Sequence, residues 1–363
     1  MSRAVRLAGP LATQKMLAAL GLTAEGRPET VQGTLIGGQR AGIDAEDWPV
    51  LQSDGGAVPV LRAVPTRALR FYADVMGLSV VEHPDGEIMG IRSGQNEAAP
   101  WSDQDWPDDL AAAIAREIVS LQDLLPAPQI AARLPMIAVW AESRLRAAEG
   151  PRSGGSLVAP RMADDLRLIE RRQPYAGFFA VDVWDLSHRT HAGGFTPAVT
   201  REGFVMGDAV VVLPWDPVRD RLLVIEQFRV GPALRHDPQP WLLEPIAGRI
   251  DASETVVDAA RREALEEADL RLGRLFPAVH HYPSPGAVTE FLYLYVGIAD
   301  LPDGSAGVNG LDAEVEDIRG HLVDRADLSA MVRDGHITNG PLAMLSLWLD
   351  RQHRDLLKDL STS

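Results

Sequence analysis

The chain of 363 residues carries 35 basic and 51 acidic side chains, a formal charge of -16, and no cysteine. That charge argues against a general affinity for nucleic acid or anionic membrane. The missing thiols exclude disulfides, thiolate nucleophiles and cysteine metal sites, so any metal must be held by oxygen or histidine. The length predicts two domains, each with its own core, and the lack of cysteine fits a cytoplasmic setting.

At the N-terminus, VRLAGP followed by LATQKMLAALG predicts a strand, a tight turn and a short helix. A targeting peptide is not expected, because Gly9, Pro10, Thr13, Gln14 and Lys15 interrupt the apolar run. Helical periodicity follows at 111–125 and 136–148, punctuated by Pro126, Pro128 and Pro135. EGPRSGGSLVAP (149–160) clusters Pro, Gly and Ser and reads as a joint, giving an N-terminal domain at 1–150, a linker at 151–165 and a second domain at 166–363. Beyond it, FFAVDVWDLSHRT, DAVVVLPWD, RLLVIEQFRV and FLYLYVGIA read as strands of a mixed sheet, with DPVRD (216–220) as a hairpin loop. No run of 18 uncharged apolar residues predicts a transmembrane helix.

RREALEEADL (261–270) packs four acids and two arginines into ten positions. At about 100° per residue, Glu263, Glu266 and Glu267 share one helix face, while Val257, Ala260, Ala264, Leu265 and Ala268 offer an apolar side. A solvated helix face is the ordinary explanation of such a run. Lysines at i+4 would usually relieve the repulsion, however, and here they do not; a hard divalent cation would convert it to coordination.

Reading backwards, Glu254 lies eight positions before Arg262, and Gly248 six before Glu254. GRIDASETVVDAARREALEEADL thus resembles the Nudix signature, matching at Gly248, Glu254, Arg262, Glu263, Glu266 and Glu267. Such a coincidence should arise about once in ten million windows. Two positions depart from it. Asp269 replaces the last glycine, at a helix end that wants positive φ, a conformation aspartate tolerates better than most residues. Ala264 fills an aliphatic slot with a minimal side chain.

The resemblance implies Mg²⁺, or Mn²⁺ in its place, on Glu263, Glu266, Glu267 and the carbonyl of Ala247, with Glu266 also in the catalytic set. Arg262 is expected to pair with Glu254, holding loop to helix. The flanks EQFRVGP, PWLLEPIAGRID and HYPSPGAVTEFLYLYVG, with Pro285 falling 15 residues beyond Leu270 and GLDAEVEDIR at 310–319, resemble the ADP-ribose pyrophosphatase subfamily over roughly residues 170–360. That likeness implies Arg229 on the diphosphate, with an ion pair to Glu226 or Glu244 as its alternative. It also implies substrate contacts from Arg201, Glu244, Ser284 and Gly286, the first across a homodimer interface. Glu290 is the expected general base, with His280 or His281 as substitutes. ADP-ribose, or a related nucleoside diphosphate sugar, would yield AMP and ribose 5-phosphate. The competing reading is a nucleotide-sugar-binding regulatory or stress-resistance protein with a weakened Nudix site.

The first half, through VRLAGPLATQKMLAALG, VQGTLIGG, DWPVLQ and LRFYADVMGL, resembles the γ-glutamyl cyclotransferase-like fold over roughly residues 4–95. Its turn motif would be Ala8-Gly9-Pro10-Leu11. Ala73 stands where that fold has its acid, which implies a non-catalytic domain; Glu82 and Glu87 are the substitute acids nearby. The expected architecture is therefore α/β and α+β: a small mixed β-barrel/helix domain, then a Nudix α/β/α sandwich around a mixed sheet.

Overall fold

A computed structural model describes residues 4–150, 154–310 and 317–362. Residues 151–153 of the expected joint, and 311–316 of GLDAEVEDIR, lie outside the described residues. The chain divides into two compact units, Met1–Val205 and Met206–Ser363. Among the described residues no helix is long and apolar enough to cross a membrane.

In the first unit, β1 (Val5–Ala8) runs into a 3-10 turn (Gly9–Ala12) and α1 (Gln14–Ala19), the predicted strand, turn and short helix. Gly9 takes φ +51, the left-handed region glycine favours. A long hairpin, β2 (Ala24–Ile36) and β3 (Val50–Ala63), precedes α2 (Arg67–Met76), β4 (Ile88–Met89), α3 (Asp108–Ser120), α4 (Ala127–Ala131) and α5 (Leu134–Glu149). The sheet order is β2-β3-β1-β4, with only the β1–β4 pair parallel. The expected barrel is not closed: β2 and β4 are the two edges, and no pairing between them joins the ends among the described residues. Ala73 is buried in α2. Gly9, Thr13, Trp101 and Trp106 line a cavity of about 830 Å³ in this unit.

The same unit includes the antiparallel sheet of β5 (Leu166–Ala176), β6 (Ala180–His188) and β7 (Val199–Val205). Compactness therefore parts the chain after Val205, beyond the joint expected at 149–160. The reason is a buried ionic network. Glu117 of α3, only 3% exposed, accepts from Arg171 of β5 at 3.2 Å and from Arg144 of α5. Arg171 also donates to Asp182 of β6 at 2.8 Å. Gln173 donates to the same Asp182 at 2.8 Å and accepts from Arg133 at 3.2 Å. Removing one partner from such a network strands a buried charge, so α3, α5 and the three-stranded sheet hold together.

In the second unit β8 (Ala209–Asp216) and β9 (Arg221–Phe228) flank the predicted DPVRD turn and lead to α6 (Val230–Leu234), β10 (Trp241–Glu244) and β11 (Ile246–Arg249). Then come α7 (Val256–Ala268), β12 (Leu275–Pro277), β13 (Leu292–Ile298), β14 (Val308–Asn309), β15 (Ile318–Asp324), α8 (Arg325–Arg333) and α9 (Gly340–Ser361). The mixed sheet runs β12-β13-β8-β9-β15-β14, and it forks: β11 pairs with β8, and β10 with β9. Strand alternation sorts the core into two layers. Val212, Leu223, Ile225 and Ile246 meet Ala264 and Ala268 of α7. Val211, Leu213, Trp215 and Val224 meet Leu328 of α8 and Leu342, Leu345 and Leu349 of α9. This unit is the expected α/β/α sandwich.

Candidate active site

Helix α7 starts on Thr255, whose Oγ1 accepts from the Asp258 amide at 3.1 Å. It ends on Asp269 at φ 48, ψ 41, the left-handed conformation expected where the signature has glycine. The face it buries is narrower than the sequence pattern implied. Ala259, Ala260, Ala264 and Ala268 are buried, whereas Val257 and Leu265 are exposed. Four alanines allow the helix to lie close on the sheet, and that closeness draws acid into the interface: Glu267 is 3% exposed.

The glycine loop is fitted to these acids. A Cβ on Gly248 would stand 1.9 Å from a Glu263 oxygen, so the carboxylate rests directly on the glycine backbone. Glu267 accepts from the Ala247 amide at 3.0 Å. Arg262 joins loop and helix as expected, donating to both Glu254 oxygens at 2.9 Å and to the Arg249 carbonyl at 2.9 Å. It also donates to Glu263 at 2.7 Å and Glu266 at 2.9 Å. Glu254 foremost, and then Glu263, push its guanidinium pKa still higher than usual.

The second group gathers where the sheet forks. Arg229, at the end of β9, donates to Glu244 through Nε at 2.8 Å and Nη2 at 2.6 Å. The ion-pair alternative raised by the sequence is thus realised, with Glu244 rather than Glu226. Glu244 is buried and also accepts from Gln227 at 3.4 Å and Asn339 at 3.1 Å. Asn339 works with both ends of its amide, since its Oδ1 caps α9 by accepting from Leu342 at 2.8 Å. Sequence reasoning missed Asn339. Its only signal, an Asn before Gly-Pro, announces a helix cap and nothing about Glu244.

Glu290 sits just before β13. Burial foremost, and then the nearby Asp208 charge, raise its carboxyl pKa above the usual range, with Arg229 opposing. Asp208, also absent from the sequence reading, is buried beside the first residue of β8. In the SPG turn the Ser284 carbonyl accepts from Ala287 and Val288 at 3.0 Å, and Ser284 and Gly286 are exposed. Thr289 ties the loop to Met206 by accepting from its amide at 2.9 Å and donating to its carbonyl at 2.8 Å. His280 lies against Tyr293 and Tyr295, and its Nδ1 is engaged by the Leu294 amide at 3.1 Å. Burial, then His281, lower its pKa. Arg201 lies on β7 in the first unit, exposed, donating to the Thr200 carbonyl at 2.8 Å.

Among the described residues no three carboxylates or imidazoles converge on one point. Arg262 holds Glu263 and Glu266. The donor set nevertheless fits a hard divalent cation: oxygen atoms only, on neighbouring turns of one helix, above a glycine where a side chain would collide with the Glu263 carboxylate.

A NUDIX domain model matches residues 206–342. The ADP-ribose pyrophosphatase of Escherichia coli (strain K12) is 41% identical over 193 residues, 53% of this chain and 91% of that protein. The ADP-ribose pyrophosphatase of Haemophilus influenzae is 34% identical over 195 residues, 53% of this chain and 89% of its own length. A GDP-mannose pyrophosphatase of Salmonella arizonae is 27% identical over 194 residues, 53% of this chain and 98% of that protein. These aligned stretches are longer than the second compact unit, so sequence likeness and compactness divide the chain differently. With the glycine loop, the Arg262–Glu254 clasp and the acidic face of α7 in register, the chain belongs to the Nudix family and is a Nudix pyrophosphatase, a hydrolase of phosphorus anhydrides.

Proposed function

We propose that the protein hydrolyses the diphosphate bond of ADP-ribose, or of a related nucleoside diphosphate sugar, giving AMP and ribose 5-phosphate from the former. The observation that carries this reading is the seating of Glu263 on Gly248 beside Glu266 and Glu267, in a chain so similar to two ADP-ribose pyrophosphatases. The GDP-mannose pyrophosphatase supports the broader substrate class at lower identity.

Mg²⁺, or Mn²⁺ in its place, would be held by Glu263, Glu266, Glu267 and the Ala247 carbonyl, and when bound supplies Lewis acidity to the diphosphate. The remaining tasks fall to the chain. Arg229, held by Glu244, presents a planar cation to phosphate oxygens. Glu290 accepts the proton of the attacking water as that water's oxygen bonds to phosphorus and the bridging P–O bond breaks. Its raised pKa strengthens it as a base. Ser284 and Gly286 contact the substrate, and Arg201 reaches it in a homodimer.

In this reading residues 166–363 form the Nudix domain, with 151–165 as linker. Residues 1–150 are a γ-glutamyl cyclotransferase-like domain without that activity, a view supported by the 3-10 turn after β1 and by the buried Ala73. The test is to incubate purified protein with Mg²⁺ and a panel of nucleoside diphosphate sugars and to resolve the products. AMP from ADP-ribose, lost in Glu267→Gln, is the expected result; no AMP above that control would overturn the proposal. Light scattering checks the dimer, and a strict monomer would remove Arg201 from the site.

A further inference from the structure

The cavity of about 830 Å³ in the first unit is built around two tryptophans. Trp101 is set by its backbone, whose amide donates to the Leu35 carbonyl near the end of β2 at 2.8 Å. Trp106 is buried and set by its ring, whose Nε1 donates to the Ala41 carbonyl at 3.0 Å. The two rings lie 6.3 Å apart at 57°. Leu35 and Val58 supply apolar wall, and Asp103 and Asp108 are the charged residues of the lining. Thr13, the cap of α1, holds Asp108 by donating from Oγ1 to Oδ1 at 2.8 Å. Among the described residues, neither Asp108 Oδ2 nor the exposed Asp103 makes a hydrogen bond. Lys15 is close to this cluster, but it pairs with Asp109 at 2.7 Å and does not line the cavity.

We propose that this cavity binds a small free alkylammonium ion, its charge held by the tryptophan rings and the two carboxylates, its carbon chain laid along Leu35 and Val58. Three observations carry the assignment. The volume, with apolar walls and a few polar groups, is that of a small-ligand site. The lining charge has one sign: two carboxylates, and no lysine, arginine or histidine. Such a site attracts a cation and repels a carboxylate or a phosphate. Aromatic rings attract an ammonium group through their quadrupole, tryptophan best of all, and here rings and acids share one lining. The turn after β1 agrees with this. Pro10 has no backbone N–H, so the turn offers an anionic ligand one donor fewer than it otherwise could. The apolar walls favour an organic cation over a hydrated metal ion, which would find only carboxylates to its liking.

The experiment titrates the isotope-labelled full chain and follows the indole N–H resonances of its eight tryptophans. Trp101→Phe and Trp106→Phe identify the two signals of the cavity, and thermal melts check that every variant is folded. Butylammonium in the millimolar range should shift both signals, whereas butanol, butyrate and Mg²⁺ at the same concentration should leave them in place. Asp103→Asn, at an exposed position, should weaken butylammonium about threefold, and Asp108→Asn, which keeps an acceptor for Thr13, about fivefold. Trp101→Ala, read from the Trp106 signal, should weaken it about fivefold, and Trp101→Phe should recover part of that loss. Nα-acetyl-lysinamide, which carries the same butylammonium on a peptide backbone, should bind no tighter; tighter binding would reassign the cavity to the lysine of another protein and overturn the free amine. The proposal also falls if butylammonium shifts neither signal at about 50 mM, if butanol, butyrate or Mg²⁺ matches it, or if both aspartate variants bind it as wild type does.

Discussion

Gly248→Ala separates the placement of one carboxylate from the stability of the fold. The added methyl would stand 1.9 Å from one Glu263 oxygen, 2.0 Å from its carboxyl carbon and 2.4 Å from the other oxygen. Real contacts of this kind begin near 3.0 Å, so the carboxylate must retreat by about an ångström. Gly248 is not in the left-handed region, so alanine adds no backbone strain. What yields is the far end of a flexible side chain rather than the sheet. The stability loss should therefore sit at the low end for overpacking, about 1 kcal/mol, or roughly 2–4 °C for a unit of this size. Catalysis should suffer far more, because an ångström of misplacement can cost about a hundredfold. The assay pairs kcat/KM for AMP release from ADP-ribose with a circular dichroism melt. Activity within threefold of wild type, or a melting temperature lowered by more than about 8 °C, would refute the reasoning: the first because Glu263 tolerates displacement, the second because the backbone moved.

Asp269→Gly should raise stability by up to about 1 kcal/mol, since a left-handed residue other than glycine carries that order of strain, and leave kcat/KM within twofold; inactive wild type restored by this change would contradict the cap assignment. Glu290→Gln should lower kcat at least about a hundredfold. In wild type the acid limb of kcat/KM should lie above the ordinary Glu range, activity falling as pH drops, because burial and then Asp208 raise that pKa. A raised carboxyl pKa stabilises the fold below the unfolded value and loses that contribution as pH rises, so Glu290→Gln should melt no lower than wild type at pH 8. Arg262→Met leaves Glu254, Glu263 and Glu266 without their shared guanidinium and should cost about 1–3 kcal/mol, a deficit that added Mg²⁺ reduces if a cation replaces it; a melt indifferent to Mg²⁺ would count against the metal assignment. Asn339→Asp keeps the helix cap but sets a second carboxylate against Glu244, so KM for ADP-ribose should rise with kcat little changed; an unchanged KM would count against Glu244 as the support of Arg229.

The α7 segment was legible because its chemistry is local. Spacing along one helix and one loop fixes which acids share a face, and Asp269 at a helix end implies its own backbone conformation. Which face is buried was read less well. Val257 and Leu265 look like core on a helical wheel, yet a sheet this close accepts alanine and excludes larger side chains, so both remain outside. At the fork only Arg229 and its pairing with Glu244 were legible. Asn339 meets Glu244 across 95 positions of sequence, and Asp208 acts on Glu290 only because β13 pairs in parallel with β8. The open sheet of the first unit escaped for the same reason, as did the tie of α3 to β5 and β6, since Glu117, Arg171 and Asp182 are ordinary charges until three elements bring them together.

The alanine that departs from the signature ties these features together. Ala264 is fully buried, in the layer formed by Val212, Ile225 and Ile246, and with Ala268 it sets how near α7 lies to β11. A larger aliphatic side chain would have to be accommodated by lifting the helix or shifting the strands. Lifting it would draw Glu267 away from the Ala247 amide and Glu263 away from Gly248. The minimal side chain thus favours the site's geometry rather than weakening it. The same closeness leaves four carboxylates, Glu254, Glu263, Glu266 and Glu267, beside Arg262, whose single guanidinium bonds the first three. Helix packing sets where that negative charge collects, and a cluster of carboxylate oxygens is the donor set that a hard divalent cation prefers.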